Sequence, residues 1–424
     1  MENNPARLTT GKKFAFLAII MLGFMLSNCM RISGVVVLPP LGKALGISAA
    51  TIGFLSSLFF YTYGLFYGIW GVMIDKRGTF LCCGAAFVVS AVGAFMLVFA
   101  DSAFMIGIGR ALCGVGYSSV FTGLLAYCAR NFRKRDYAIF MGAGLMVGHS
   151  GTILAVAPLG FAVEYMGTAG VFFFLGLLTL AVGVSLLYFR RYDKTPAPGK
   201  PPELLTVFSG LWKVSQNIWR NYTLRVVMIT WGVSAAAVST LQGLWAVAWL
   251  QTSAGFSQNQ AYLCATWISI GLVFGPPFGG WLAKRLKDEK NAFFISCALI
   301  ETGWLMWLVF SLFSAPPVLF SAAGFMIGFW GGESYVFMGD AVLCTVSRDQ
   351  NAGTIGVMNM IIYILVIVFQ WGTGLCLDFF AGPRGSYTAT GFFVGFLIIV
   401  LLQGWSFLMI KRMEPFGIGL ARKH

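Results

Sequence analysis

The sequence predicts an all-α membrane protein with twelve transmembrane helices in two pseudo-symmetric six-helix bundles. Three observations lead there: charge is scarce, long apolar runs recur along the chain, and the basic residues fall almost wholly on alternate loops. Of 424 residues, 58% are hydrophobic and only 10% charged, with a mean hydropathy of +0.80. A soluble domain carries roughly 25% charged residues and needs charge on its surface to stay dispersed. Lipid is therefore the expected solvent, and the 52 glycines suit close helix packing within it.

A helix needs about 20 apolar residues, at about 1.5 Å each, to cross a hydrocarbon core of about 30 Å. In the first half such runs are expected at 14–40, 49–74, 79–99, 102–128, 137–163 and 169–189. The second half supplies 222–250, 258–283, 291–312, 316–345, 353–379 and 386–410. Several are longer than a straight crossing requires, which implies tilt or extension past the lipid. The first run follows Lys12 and Lys13 but leads into Arg31 and Pro39-Pro40 without a small-residue cleavage site, so it is expected to remain as a span.

The formal charge of +14 is distributed as a topology signal rather than a nucleic-acid footprint, and no nucleic-acid partner is expected. Alternate loops hold Lys76 and Arg77; Arg130, Arg133, Lys134 and Arg135; Arg190, Arg191, Lys194 and Lys200; Lys284, Arg285, Lys287 and Lys290; and Arg348. Arg7, Lys12 and Lys13 at one tail, and Lys411, Arg412, Arg422 and Lys423 at the other, join that set, leaving only Lys43 and Arg384 opposite. Both termini are thus expected in the cytoplasm of a bacterial (inner) membrane. Most of the nine cysteines stand in apolar runs, as Cys82, Cys83, Cys264, Cys297 and Cys376 do, and read as small hydrophobes. No metal site and no cofactor are expected.

Residues 190–221 are the longest stretch without a span. Pro196, Pro198, Pro201 and Pro202 disfavour a continuous helix there, and a surface helix is expected after them, with Trp212 and Trp219 at the headgroups. The expected organisation is an N-terminal bundle over 1–189, a cytoplasmic linker over 190–221 and a C-terminal bundle over 222–424. An internal repeat supports it. Gly71-Val-Met-Ile-Asp75-Lys76-Arg77-Gly78 after span two is matched by Gly280-Trp-Leu-Ala-Lys284-Arg285 after span eight, and Gly109 to Gly116 in span four by Gly324 to Gly331 in span ten. Parallel halves of this kind describe one class of secondary transporter.

These motifs resemble the major facilitator superfamily, in its bacterial type. Gly71, Asp75, Lys76 and Gly78 match that family's signature G-x-x-x-D-[RK]-x-G, although Thr79 and Phe80 replace its terminal basic positions. Arg110 in Gly109-Arg110-Ala-Leu-Cys-Gly is similar to the family's arginine-glycine segment, and Gly142 through Ala157-Pro158-Leu-Gly160 to its glycine-proline motif. The resemblance covers nearly the whole chain. It implies alternating access between two bundles, with spans one, four, seven and ten lining a cavity, and a gating role for the 71–78 turn.

Charges inside spans are few and mark functional candidates. Arg31 in span one and Arg110 in span four fall at similar depth, where a guanidinium fork suits a carboxylate or phosphate. Each is alternatively a structural group held by protein acceptors. Glu333 lies near the middle of span ten and is a candidate proton carrier, as is His149 in span five. Glu301 on a peripheral span reads as structural, and Asp340 near the basic end of span ten as part of a gate. Gln242 stands as far from Arg225 as Arg31 does from Phe14; with Trp245 and Tyr363 it is a further candidate for substrate contact.

The leading expectation is a monomeric secondary transporter of a small organic, anionic solute with proton symport. A proton-coupled exporter of hydrophobic compounds is the alternative. No G-x-x-x-x-G-K-[ST] loop occurs, so direct ATP drive is not expected, and no nucleophile–base set points to an enzyme.

Overall fold

The structure, a computed structural model, describes residues 9–193, 204–283, 285–286, 289–313, 315–346, 348–383 and 386–416, with backbone alone at 134–139, 204–211 and 348–353. Lys194, Lys200, the four linker prolines, Lys284, Lys287, Arg384, Arg422 and Lys423 lie outside the described residues, as do the side chains of Lys134, Arg135 and Arg348.

Among the described residues every regular element is a helix, and ten helices are long and apolar enough to cross a membrane. Two further helices complete twelve spans. Lys134–Leu154 carries the apolar stretch Phe140–Leu154, and Pro317–Thr345 is diluted in hydropathy by its glycines, Glu333 and Asp340. Within Ala157–Tyr188, Gly167 adopts φ 73 and ψ 169; the helix before it finishes span five and the helix after it forms span six. Side-chain oxygens start several spans: Ser102, Asn221 and Thr388 accept the amides of Met105, Leu224 and Gly391. Phe104, Phe313 and Phe379 are at least 75% exposed, as lipid-facing residues are when the solvent is hydrocarbon.

Four spans are interrupted midway. Span one runs as Thr10–Ile32 and Gly34–Ala44, and span four as Ala103–Tyr117 and Ser119–Asn131. Span five breaks at Ala155 and Val156, and span seven passes through a π-helical turn, Leu241–Trp245, between Tyr222–Thr240 and Ala246–Ala254. A break inside a membrane is tolerated where neighbouring groups satisfy the freed backbone atoms.

By contacts the chain forms two compact units, Met1–Ser33 with Leu58–Pro201, and Gly34–Ser57 with Pro202–His424. This grouping differs from the order of spans over Gly34–Ser57 alone among the first-half spans. The reason is local: a Cβ on Gly53 would stand 2.2 Å from the carbonyl of Gln370, so spans two and eleven meet backbone to backbone. Spans eight and ten meet in the same way, with a Cβ on Gly275 falling 2.0 Å from the Phe329 carbonyl and one on Gly328 2.0 Å from that of Ile268. Small residues permit such approach, which is where packing in lipid draws its strength. In the linker, the helix Leu204–Arg220 forms, with Trp212 and Trp219 exposed.

Candidate functional site

In the first unit the site grows from the break in span one. The last four carbonyls of a helix have no partner in the helix. At the end of Thr10–Ile32 the Ser33 hydroxyl donates to the Met30 carbonyl at 2.8 Å, and Arg110 donates to the same carbonyl from Nη1 at 3.0 Å. Arg110 Nη2 reaches the Arg31 carbonyl at 3.5 Å. The fully buried guanidinium also lies over Phe59, 5.0 Å from the ring centre. Its charge meets the negative end of a helix, a favourable placement. Arg110 thus binds span four to the broken end of span one.

Arg31 occupies the last turn before that break and is half-buried. Its Nη2 donates to Asn28 Oδ1 at 2.6 Å, and Asn28 Nδ2 donates to the Phe24 carbonyl at 3.0 Å. No carboxylate lies within ion-pair distance of Arg31 among the described residues; the ion pair found there joins Arg130 to Asp75. The His149 ring stands edge-on to Phe24 at 5.9 Å. Phe59, Tyr63, Tyr67 and Phe121 stack in succession, making an aromatic wall along spans two and four.

At the basic end of the same unit, Gly71, Asp75 and Lys76 lie on the final turns of Ala49–Arg77. Gly78 takes φ 90, a conformation that glycine alone adopts without strain, and it reverses the chain into span three. Asp75 Oδ1 accepts from Arg130 Nη2 at 3.0 Å, so its partner is on span four of this unit. The helix N-terminus that follows is served by a different acid: Asp193 Oδ2 accepts the amide of Phe80 at 2.7 Å.

In the second unit, Gln242 lies in the π-turn and donates from Nε2 to Ser269 Oγ at 2.7 Å. Such turns expose backbone groups and recur at functional positions. Trp245 is fully buried, edge-on to Tyr387 at 5.7 Å and Phe392 at 6.0 Å, and joins a core that includes Trp249. Tyr363 is half-buried on span eleven. Glu333 is fully buried against Gly279 of span eight, and neither carboxyl oxygen has a hydrogen-bond partner among the described residues. Ser296, the neighbouring hydroxyl, donates instead to the Ala292 carbonyl. Glu301 packs against Gly404 of span twelve.

The structure also gives partners to Asp378, which sequence reasoning left without a role, and to the gate candidate Asp340. Asp378 Oδ1 and Oδ2 accept the amides of Ala49 and Ala50 at 2.7 and 2.8 Å, a bidentate cap on the start of span two. Burial and the nearby Asp378 carboxylate push the Tyr387 phenol above its ordinary value. At the basic end, Asp340 faces Glu289, whose amide donates to the Phe416 carbonyl at 2.7 Å, and Lys290 Nζ donates to the carbonyls of Lys411 and Met413. Asn28 was within reach of sequence reasoning, since it precedes Arg31 by one helical turn.

Comparison with known proteins bears on the family and the fold. The chain is 22% identical over 423 residues to the membrane sensor protein UhpC of Salmonella typhimurium, covering 93% of this chain and 90% of that protein. It is 20% identical over 416 residues to a probable hexose phosphate transport protein of Chlamydia pneumoniae, covering 91% and 89%. Among solved structures, an inward-facing, occupied bacterial homologue of the human lysosomal transporter Spinster superposes with a TM-score of 0.71 at 14% identity, covering 98% of each chain. A mutant of the nucleoside transporter NupG gives 0.70 at 12% identity, over 93% of this chain and 99% of that one. The family profile described as Major Facilitator Superfamily matches residues 16–369. With twelve helical spans and a profile match over most of its length, the chain belongs to the major facilitator superfamily of membrane transporters.

Proposed function

We propose that this transporter moves a small organic anion across the bacterial cytoplasmic membrane by alternating access, as a monomer with both termini in the cytoplasm. One observation carries the reading: Arg31 holds a positive charge inside a span, half-buried, with a neutral amide as its side-chain partner and no carboxylate beside it among the described residues. A charge in that position is costly unless it is compensated in the working state, and a substrate anion compensates it. A relative named as a probable hexose phosphate transport protein is in keeping with an anionic substrate.

Gln242 and Tyr363 are proposed as further polar contacts to the solute, and Trp245, which ends the π-turn, packs against Tyr387 and Phe392. Arg110 acts through Arg31 by holding the broken end of span one. Glu333, buried and without a donor, is the group proposed to take up and release the coupling proton, with His149 as its counterpart in the first unit. The turn of Gly71, Asp75, Lys76 and Gly78, together with Asp340, is proposed to gate the basic end.

Uptake of labelled organic acids into proteoliposomes under an inward proton gradient tests this reading. Accumulation that Arg31→Ala abolishes supports it. A second reading is a sensor that binds without net transport, favoured by the name of the UhpC relative; binding without accumulation would select it. Gradient-driven loss of a lipophilic cation, with no uptake of acids, would point to an exporter that uses Glu333 and Glu301.

A further inference from the structure

The charge available to a ligand inside the spans is smaller than the strongly basic composition suggests. Of the described Lys and Arg residues, only Arg31 and Arg110 lie within spans rather than at their ends or in loops. Arg110 is committed to the carbonyls of Met30 and Arg31 and to the face of Phe59, and it is 1% exposed. That leaves one guanidinium.

The partner of that guanidinium is what makes the count informative. Asn28 is 4% exposed, and its Nδ2 is tied to the Phe24 carbonyl, so its Oδ1 is the atom turned to Arg31. An aspartate of the same shape would hold the fork equally well and cancel its charge. An asparagine orients the guanidinium and leaves it a full unit of positive charge. Beside it the Phe59–Tyr63–Tyr67–Phe121 wall carries no acid, and no carboxylate lies within ion-pair distance of Arg31 among the described residues.

We infer that the Arg31 site selects a singly charged anion, a carboxylate, over a doubly charged phosphate ester, and that Asn28 is the positioning residue that sets this selectivity. The inference rests on reading Arg31 as the partner of the substrate. A monoanion forms a neutral pair with Arg31. A phosphate monoester, close to doubly charged at neutral pH, leaves about one negative charge uncompensated in a poorly solvating interior. Carboxylate and guanidinium also match in planar, bidentate geometry.

The test separates charge from shape. Binding to the purified full chain is measured at pH 7.5 for gluconate, glucose 6-sulfate, glucose 6-phosphate and glucose. Sulfate and phosphate esters share tetrahedral shape but differ by about one charge. Gluconate is expected to bind, the sulfate ester to be tolerated, and the phosphate ester to bind at least about 100-fold more weakly than the sulfate. Asn28→Asp should abolish monoanion binding as fully as Arg31→Ala does, whereas Asn28→Ala should weaken it about tenfold or less; unliganded melting temperatures report folding for each variant. Phosphate binding tighter than sulfate, lost in Arg31→Ala, overturns the inference while leaving the anion reading intact. Equal binding of glucose, or no monoanion response that depends on Arg31, overturns both.

Discussion

The Arg110 guanidinium donates from Nη1 to the Met30 carbonyl at 3.0 Å, inside the membrane, at the point where span one is broken. The two arginines within the spans therefore have different partners. Arg110 bonds the backbone at the end of span one, and Arg31, one residue beyond Met30, donates to Asn28 and is the group proposed to meet the solute.

Arg110→Ala is accordingly expected to lower stability by about 1–3 kcal/mol, because it removes the charged hydrogen bonds to the Met30 and Arg31 carbonyls, of which the Met30 carbonyl keeps only the Ser33 hydroxyl as a side-chain donor. Arg110→Lys keeps the charge but loses the fork, and it should recover part of that loss. Melting of the detergent-solubilised protein reads the effect. A variant as stable as the wild type, with anion affinity lost, would instead make Arg110 a substrate ligand.

Asp378 caps Ala49 and Ala50 through both carboxylate oxygens, beside the close crossing of Gly53 and Gln370. Loss of a capping side chain costs about 0.5–2 kcal/mol, and a bidentate ionised cap belongs at the upper end. Asp378→Ala should speed amide exchange at Ala49 and Ala50 by about tenfold or more, with little change in the Arg31 region. Unchanged exchange would mean that the glycine crossing alone holds this end.

The Asp75–Arg130 pair lies at 3.0 Å, with Asp75 78% exposed and Arg130 16% exposed. Solvent screening reduces such a pair to about 0–1 kcal/mol. Asp75→Asn is therefore expected to leave the melting temperature nearly unchanged while slowing uptake, if the turn serves gating. The exchanged pair, Asp75→Arg with Arg130→Asp, should restore part of the rate; a double variant no better than the single ones would show that the pair itself is not what gating requires.

Glu333→Gln replaces a buried carboxyl that has no donor with an amide of the same shape. It should abolish accumulation driven by a proton gradient and spare counterflow. Loss of both activities would assign Glu333 to binding or folding.

Much of this arrangement was legible in the sequence. Apolar run length predicted the twelve spans, including the division of spans five and six near Gly167. The bond from Arg110 to the end of span one was not legible, because the break at Ser33 has no proline to announce it; Pro39 and Pro40 lie in the following segment. The π-turn around Gln242 is likewise unmarked by composition. Asp378 escaped because its partners are backbone amides 328 and 329 positions away, which no side-chain pattern encodes. Trp245 shows the reverse limit: an aromatic residue beside a polar one suggests stacking on a ligand, and here the indole is buried against Tyr387 and Phe392.

The most direct measurement of the central claim, that Arg31 receives the charge of the substrate, is calorimetric titration of gluconate into the purified wild type, Arg31→Ala and Arg31→Lys. The account predicts binding by the wild type, at least about 100-fold weaker binding by Arg31→Ala, and an intermediate value for Arg31→Lys, which keeps charge but loses the fork. Gluconate affinity equal in the wild type and a folded Arg31→Ala would contradict it.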